Sequence, residues 1–310
     1  MAKLPIETVD PELRAATLKF GANARVPDNA FMRAVVQAAL RVVRFPIADG
    51  VRVRETRSGA LRIRTYTPES LTSDGALLWI HGGGLVSGSP RQDDPLCSGT
   101  AAELGVRVFS MRYPLAPKHP FTAAIDHLGA GWRWTLDTAV SSGVDPARIV
   151  VGGESAGGGL AAALVQRIHD EGGVQPAGQW LFTPMLDDRT AARRDLDEPE
   201  HWIWSNRANL FGWSSYLGHE PGAESVPPYA VPARRESLAG LPPAFLTWGD
   251  IELFADEDRV YAERLRDAGV PVTTDVVAGA PHGFENWARD TAPAQALLSR
   301  AREWLRPLIG

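Results

Sequence analysis

The sequence predicts an α/β protein in which helices cover both faces of a mostly parallel β-sheet. From about residue 76 onwards, short apolar segments alternate with segments of helical periodicity, the pattern of parallel strands joined by crossover helices. A stretch over residues 185–240 interrupts this alternation, and residues 1–45 carry helical periodicity alone. We therefore expect the 310 residues to form one large α/β domain with helical additions.

The N-terminal part of the chain begins with helices and continues with a hairpin. Apolar residues at three- and four-residue spacing predict helices over residues 11–20 and 31–43, with a turn-like segment at 21–29 between them. The segment VRVRETRSGALRIRTYTP alternates between apolar and polar residues on both sides of Ser58 and Gly59. This alternation predicts a β-hairpin with one buried face.

Strands and helices then alternate as far as the C-terminus. Short apolar, β-branched runs predict buried strands at residues 76–83, 106–114, 148–153, 179–184, 244–250 and 272–279. Apolar residues at helical spacing predict helices at residues 123–139, 159–173, 257–269 and 292–308. The stretch at 185–240 is rich in tryptophan and proline, and we expect it to be a helical insertion over the edge of the sheet.

The composition argues against several classes of function. A net charge of −5 and a pI near 5.8 give no electrostatic reason to expect nucleic acid or an anionic membrane as a partner. The single cysteine, Cys97, can form neither an internal disulfide nor a zinc site with paired cysteines. The N-terminus lacks the apolar core of a signal peptide, and no apolar run approaches the ~20 residues that span a bilayer. We therefore expect a soluble, cytoplasmic protein.

The segment GGESAGGG at residues 152–159 is the first candidate functional feature. It lies between a predicted strand and a predicted helix, which excludes a flexible linker, and its glycine spacing fits neither the dinucleotide fingerprint nor the nucleoside-triphosphate loop. Residues 153–157 do fit the G-x-S-x-G nucleophile elbow, in which a strained turn projects the Ser155 hydroxyl above the sheet. The positions two before and two after the serine require glycine because a Cβ there would clash.

A second glycine motif supports the same chemistry. His81 to Gly84 form the sequence HGGG directly after a predicted strand. Attack of a serine on an acyl carbonyl generates an oxyanion, which N–H donors already in place must stabilise. An HGGG-type motif supplies such donors together with the N–H of the residue that follows the nucleophile. We predict Gly83, Gly84 and Ala156 as the oxyanion-hole donors, and His81 as a residue that braces the loop.

An activated serine also requires a base, which follows the carboxylate in chain order. His282 is predicted as the base because it lies in a loop after the last predicted strand, where its ring can reach the edge of the sheet. His201 and His219 fall in the insertion, where a lid or surface role is expected.

The carboxylate lies in the segment TWGDIELFADED. Asp250 and Glu252 both follow a predicted strand, and their spacing alone does not separate them. The acidic run at 256–258 opens a predicted helix, where acidic residues are expected for capping and for the helix dipole.

Taken together, these residues resemble the hormone-sensitive-lipase-like (HSL) family of α/β-hydrolase esterases. The matching segments are HGGG at 81–84, YPLAPKHPFTAA at 113–124, DPARIVVGGESAGGGLAAAL at 145–164, LPPAFLTWGDIELFADED at 241–258 and HGF at 282–284. The resemblance implies an eight-stranded, mostly parallel sheet with a helical cap, and hydrolysis of carboxylic esters without a cofactor or a metal ion. It also implies Glu252 as the catalytic acid, because the family's final acidic pair then aligns with Asp256 and Glu257.

The resemblance also divides the chain into segments. It implies N-terminal cap helices at 1–45, a first part of the core at 46–184, a helical cap insertion at 185–240 and a second part of the core at 241–310. The sequence departs from the family at Glu154, where aspartate is usual beside the nucleophile. It also departs at Leu85, which replaces the usual aromatic residue after HGGG and would reshape the acyl side of the pocket.

The resulting prediction is a serine carboxylesterase that hydrolyses short- to medium-chain acyl esters through an acyl-enzyme intermediate, with a small-molecule ester as its partner. The candidates for lining the substrate pocket are Leu85, Trp202, Trp204, Phe211 and Trp213. For each aromatic candidate, packing between the cap and the sheet is the alternative. An amidase or peptidase with the same triad, a non-catalytic small-molecule receptor of the same fold, and a homodimeric assembly are left open.

Overall fold

The computed structural model describes residues 2–21 and 30–310. Most of the predicted turn at 21–29 therefore lies outside the described residues. The strands are β1 (Val51–Ser58), β2 (Leu61–Pro68), β3 (Ala76–Ile80), β4 (Arg107–Arg112), β5 (Ile149–Glu154), β6 (Gly178–Phe182), β7 (Ala244–Gly249) and β8 (Val272–Val277). They form one sheet in the order β1-β2-β4-β3-β5-β6-β7-β8. The β1–β2 and β2–β4 pairs are antiparallel and the other five pairs are parallel, which confirms the predicted fold class.

Helices cover both faces of the sheet. They are α1 (Arg14–Gly21), α2 (Ala30–Val42), α3 (Asp94–Leu104), α4 (Ala123–Ser141), α5 (Ala156–Glu171), α6 (Asp188–Ala192), α7 (Asn206–Leu217), α8 (Ala255–Asp267), α9 (Phe284–Trp287) and α10 (Ala292–Ile309). One buried apolar cluster joins the sheet to α4, α5 and α8, and a second joins the opposite face to α3 and α10. The β-branched strand residues predicted to be buried, such as Val150 and Val151, lie in these two clusters.

Helix α5 begins earlier than its periodicity indicates. The sequence predicts a helix from residue 159, but α5 starts at Ala156 and includes three glycines. Two of these glycines, Gly158 and Gly159, are needed because the helix lies very close to the chain that leaves β6. A Cβ on Gly159 would lie 2.0 Å from the Met185 carbonyl oxygen, and one on Gly158 would lie 2.9 Å from the Pro184 side chain. Close packing of the helix, rather than helix propensity, therefore determines the composition of its first turn.

The N-terminal segment packs against the insertion. The described part of residues 185–240 contains α6 and α7 but no strand of the sheet, apart from an isolated bridge between Glu200 and Lys3. Phe20 of α1 stacks on Trp287, with ring centroids 5.4 Å apart. Trp287 donates a hydrogen bond to the carbonyl of His282 (3.0 Å), so the N-terminal segment supports the loop that carries this histidine. In the described part of the chain, no helix has the length and apolar character needed to cross a bilayer.

Candidate active site

Ser155 lies in a strained turn between β5 and α5. Its backbone has φ 55° and ψ −122°, a conformation that is costly for a residue with a side chain. Two hydrogen bonds from the exit of β6 hold this turn. The Ser155 amide donates to the Phe182 carbonyl (2.8 Å), and the Ser155 carbonyl accepts from the Met185 amide (2.9 Å). The hydroxyl is thereby fixed at the carboxyl end of the sheet, and α5 starts directly behind it.

Glycine is required on both sides of the serine, as predicted. A Cβ on Gly157 would lie 2.1 Å from the carbonyl oxygen of Ile80, at the end of β3. A Cβ on Gly153 would lie 2.3 Å from the carbonyl oxygen of Gly157, within the first turn of α5. The obstacle is a neighbouring strand at one position and the following helix at the other.

The three side chains that the sequence predicts as a triad meet at this turn. The Ser155 Oγ lies 2.8 Å from Nε2 of His282, and the Nδ1 of His282 lies 2.9 Å from Oε2 of Glu252. All three residues are buried, with at most 5% of their surface exposed. The arrangement fits an imidazole that donates from Nδ1 to the carboxylate and accepts the serine proton at Nε2.

The other acidic candidates lie elsewhere. Asp250 accepts a hydrogen bond from the Gly279 amide (2.7 Å) and so braces the loop before His282. Glu257 does not act as a cap or as a surface charge at the start of α8, as the sequence predicts. It is buried, and its Oε1 accepts hydrogen bonds from the amides of Leu186 (2.7 Å) and Asp187 (3.1 Å) at the start of the insertion. Burial raises the pKa of Glu257 well above its usual value. Asp256 fits the expected role of stabilising the dipole of α8 from the surface, because its side chain is 79% exposed.

The two remaining histidine candidates do not join the triad. His201 lines a cavity of about 290 Å³ together with Glu252, Arg193 and Asp256. Burial lowers the pKa of His201. His219 is exposed, and its Nδ1 lies 2.8 Å from the carbonyl oxygen of Glu220.

The HGGG loop passes directly beside the elbow. Gly83 and Gly84 have φ values of 120° and 60°, which favour glycine. Within the described ranges, their amide N–H groups donate to no backbone carbonyl, and Ala156 occupies the first position of α5, where an amide has no partner inside the helix. A Cβ on the preceding Gly82 would lie 3.4 Å from the Cβ of Ser155. The HGGG loop therefore passes next to the serine, and the amide hydrogens of Gly83 and Gly84 are not used by a backbone carbonyl of the described residues.

His81 braces this loop. It is fully buried, its ring stacks on Tyr113 at 4.4 Å, and its Nδ1 lies 2.8 Å from the carbonyl oxygen of Gly82. The Tyr113 hydroxyl donates to the His81 carbonyl (3.0 Å). Burial lowers the pKa of His81 to about 4, so the ring is neutral at pH 7.

Trp204 and Phe254 bound the space next to the triad. The Trp204 ring lies against the HGGG loop so closely that a Cβ on Gly84 would lie 2.2 Å from its outer edge. The same ring is 6.2 Å from the imidazole of His282, and the Phe254 ring approaches that imidazole edge-on at 5.2 Å. On α7, Gly212 packs directly on the carbonyl oxygen of Gly84. These contacts place the insertion over the oxyanion loop.

The other pocket candidates have different surroundings. Trp213 is 2% exposed and packs on Tyr216, as expected of a core residue. Trp202 packs against α1 at Gly21, and the Lys3 ammonium lies 5.0 Å from its ring. Phe211 is partly buried, with the Arg33 guanidinium of α2 4.9 Å from its ring. Leu85 is buried in the same apolar cluster as Trp204. Of the four aromatic candidates, Trp204 is thus the one with contacts to both the HGGG loop and His282.

A cluster of buried carboxylates lies behind the triad, and the sequence did not reveal it. Asn286 donates from Nδ2 to Glu154 (2.9 Å) and to Asp93 (3.1 Å), and Asp93 also accepts from the indole N–H of Trp79 (2.7 Å). Glu285 is 2% exposed, and within the described residues neither of its oxygens has a hydrogen-bond partner.

Burial is the main cause of the unusual pKa values of these acids. Burial, with the charge of Glu285, raises the pKa of Glu154 to about 8. Burial, with the charges of Glu252 and Asp93, raises the pKa of Glu285 to about 7. Burial, with the charge of Glu154, also raises the pKa of Asp93. The glutamate beside the nucleophile therefore belongs to a cluster of buried acids whose pKa values are all raised. The sequence gives little indication of this cluster, because Asp93 and Glu285 are distant from Glu154 along the chain.

The described residues contain no group of three or more histidine, cysteine or acidic side chains arranged to hold a metal ion. The structure brings together at Ser155 a hydroxyl with a base in contact, a carboxylate that contacts the base, and the loop that carries the amides predicted as oxyanion donors.

Comparison with known proteins places the chain among related enzymes. A family model described as "alpha/beta hydrolase fold" matches residues 77–286. Esterase LipI from Mycobacterium tuberculosis is 32% identical over 283 residues, which cover 89% of this chain and 85% of LipI. Carboxylic ester hydrolase LipN from the same organism is 32% identical over 234 residues, which cover 74% of this chain and 62% of LipN. The match thus leaves more than a third of LipN unaligned.

Solved structures agree over almost the whole chain. A bacterial heroin esterase is 35% identical, with a TM-score of 0.84 over 97% of this chain and 98% of its own. An esterase described as belonging to the bacterial hormone-sensitive lipase (HSL) family is 28% identical, with a TM-score of 0.82 over 100% of both chains.

Proposed function

The chain belongs to the hormone-sensitive-lipase-like family of the α/β-hydrolase fold, and from this membership we propose that it is a serine carboxylesterase acting on short- to medium-chain acyl esters. The observation that carries the proposal is the continuous contact from the Ser155 Oγ through His282 to Glu252, at 2.8 Å and 2.9 Å. The relatives named above as esterases support the same reaction class.

The proposed reaction has two steps. The Ser155 oxygen attacks the ester carbonyl and forms a C–O bond while His282 Nε2 takes the hydroxyl proton. The carbonyl electrons move to the oxyanion, which the amides of Gly83, Gly84 and Ala156 stabilise. The carbonyl re-forms as the bond to the alcohol oxygen breaks, and His282 returns the proton to the departing alcohol. Water then attacks the acyl-enzyme with the same proton transfers, which releases the acid and restores Ser155.

The contacts of Trp204 support a preference for short and medium acyl chains. Its ring lies against Gly84, and α7 packs on the same loop through Gly212. An acyl group that leaves the oxyanion site in this direction would meet the indole within a few carbon atoms. We propose that Trp204 limits the acyl chain, with Phe254 as the neighbouring wall on the His282 side.

A panel of p-nitrophenyl esters from acetate to palmitate tests the proposal. We expect the highest kcat/KM within the short and medium chains, and a loss of at least about 10⁴-fold in kcat for Ser155→Ala. Ser141→Ala, at the exposed end of α4, is the matched control and should retain full activity. Turnover confined to emulsified long-chain fat would contradict the acyl preference. A Ser155→Ala variant with wild-type turnover would overturn the mechanism.

A matched ester and amide of the same acyl group separate the proposal from an amidase or peptidase. We expect faster cleavage of the ester, and an amide that reacts at an equal or higher rate would contradict the esterase assignment. Absence of turnover on every ester, from a folded wild-type protein, would favour a non-catalytic receptor of the same fold.

A further inference from the structure

Helix α2 presents an apolar face to solvent. Five residues at helical spacing form this face, and all of them are exposed: Phe31, Ala34, Val35, Ala38 and Val42. The exposed fractions of Phe31 and Val42 reach 75% and 76%. We refer to these five residues as the outer face of α2. A surface helix normally directs its apolar side towards the core, so the orientation of α2 is the reverse of the usual one.

The polar residues of α2 lie on its opposite side and contact the protein. Gln37 donates from Nε2 to the Gly88 carbonyl (2.7 Å) and accepts from the Gly88 amide (3.2 Å). The Arg33 guanidinium lies 4.9 Å from the ring of Phe211 on α7. These contacts orient the helix so that its outer face is in water, although the residues of that face are apolar.

The segment around α2 is basic, whereas the protein as a whole is acidic. Residues 13–47 contain six arginine and lysine residues and one acidic residue, a net charge of +5, in a chain whose net charge is −5. The basic residues are Arg14, Lys19, Arg25, Arg33, Arg41 and Arg44, and the acidic residue is Asp28. The total charge, which gives no reason to expect an anionic membrane, therefore conceals a segment of the opposite sign.

We propose that the outer face of α2 docks on an anionic lipid surface. An amphipathic helix that combines exposed apolar residues with arginine and lysine lies in the plane of such a surface, with its apolar side among the lipid chains. The 13 residues of α2 are fewer than the ~20 that span a bilayer, so the helix would lie on the surface. Docking on a second copy of this chain would bring two segments of charge +5 together, whereas anionic lipid carries the opposite charge.

The docked surface would lie on the outer side of the cap. Helix α2 rests on Gly88, which follows the HGGG loop, and on Phe211 of the insertion, so lipid on its outer face would be separated from these segments by the helix itself. The inference concerns binding to lipid and requires no turnover. It therefore does not depend on the proposed function.

Vesicle flotation tests the proposal. We expect the wild type to bind vesicles made of equal parts of phosphatidylglycerol and phosphatidylcholine, with an affinity that falls as salt is added, and to bind pure phosphatidylcholine vesicles at least about tenfold more weakly. Val42→Asn should weaken binding to the mixed vesicles by at least about tenfold, because it removes an apolar side chain from the outer face. Circular dichroism shows whether each variant is folded.

The chain offers matched controls for both contributions. Val140 on α4 is 74% exposed, almost the same as Val42, and Val140→Asn should bind vesicles as the wild type does. Arg44→Gln, an exposed change directly after α2, should weaken binding to mixed vesicles more than Arg54→Gln, an exposed change on β1 outside the basic segment.

Three results would overturn the proposal. The first is a wild type that does not float with the mixed vesicles. The second is equal weakening by Val42→Asn and Val140→Asn, which would indicate unspecific adsorption. The third is a dimer in analytical ultracentrifugation that Val42→Asn dissociates, without any vesicle binding, because a second copy of the chain would then cover the outer face.

An environment-sensitive fluorophore identifies the surface that meets the lipid. Cys97, the one cysteine in the sequence, is buried, so a cysteine introduced by Phe31→Cys or by Val140→Cys is the accessible one for labelling. With the mixed vesicles, we expect the emission to shift to shorter wavelength for the label at position 31 and to stay unchanged for the label at position 140. A shift at both positions, or at neither in a protein that floats with the vesicles, would contradict docking through α2.

Discussion

Replacement of Glu285 by Gln tests the buried carboxylates behind the triad. Glu285 is 2% exposed, and the acids around it are Glu154 from β5, Asp93 ahead of α3 and Glu252 of the triad. Its pKa of about 7 lies far above the usual 4.5. This difference corresponds to a change of about 3 kcal/mol in the free energy of unfolding. The sign follows from proton binding. Between pH 4.5 and 7 the folded state holds a proton that the unfolded state releases, so stability falls as the pH rises through this range.

The neutral amide of Glu285→Gln cannot ionise, so the variant should escape this loss. We expect it to be more stable than the wild type by up to about 3 kcal/mol at pH 8, with the difference shrinking towards zero near pH 4.5. Urea unfolding at five pH values between 4.5 and 9 measures both quantities. Glu263→Gln removes the same negative charge from an exposed position on α8, and is the control. Its stability should depend on pH as that of the wild type does. A Glu285→Gln variant that is no more stable at pH 8, and whose profile is parallel to the wild type, would refute the reasoning.

Three further predictions concern the site itself. Gly157→Ala should lower the unfolding temperature by several degrees, because its Cβ would lie 2.1 Å from the Ile80 carbonyl oxygen, whereas Gly129→Ala on α4 has room for the methyl group and should be neutral or slightly stabilising. Glu252→Gln should lower kcat by about 10⁴-fold with little change in KM. Pre-steady-state and steady-state kinetics with an ester substrate measure both constants. A near-normal kcat would indicate that a different residue is the catalytic acid. Trp204→Ala should shift the kcat/KM maximum towards longer acyl esters, and an unchanged chain-length profile would exclude it as the limiting wall.

The contacts among Ser155, His282 and Glu252 could be predicted because short local motifs mark the serine and the histidine in the sequence. The glycines two residues before and two residues after Ser155 indicate a nucleophile elbow. The order of the three residues along the chain then restricts the candidates for the base and the acid. The choice between Asp250 and Glu252 needed the family resemblance, since both follow the same strand. In the structure Glu252 contacts the histidine, whereas Asp250 accepts from the backbone of the loop before it.

Features that depend on burial could not be predicted in this way. Glu257 resembles an ordinary acid at the start of a helix, yet it binds the amides at the start of the insertion, because α8 packs against that chain segment. Trp213 and Trp204 lie in the same tryptophan-rich stretch of the sequence. In the structure Trp213 is a core residue, whereas Trp204 lies against the HGGG loop. The partners of Glu154 come from segments distant in the chain, and periodicity carries no information about such contacts.

Covalent labelling with a fluorophosphonate tests most directly whether Ser155 is activated by His282 and Glu252. The phosphorus centre reacts with an activated serine oxygen and releases fluoride, and intact-protein mass spectrometry counts the adducts. We expect one adduct on the wild type, located by peptide mapping at Ser155, none on Ser155→Ala, and labelling slowed by at least about 10²-fold in His282→Gln. A wild-type protein that stays unlabelled while folded, or an adduct that persists in Ser155→Ala, would contradict the account.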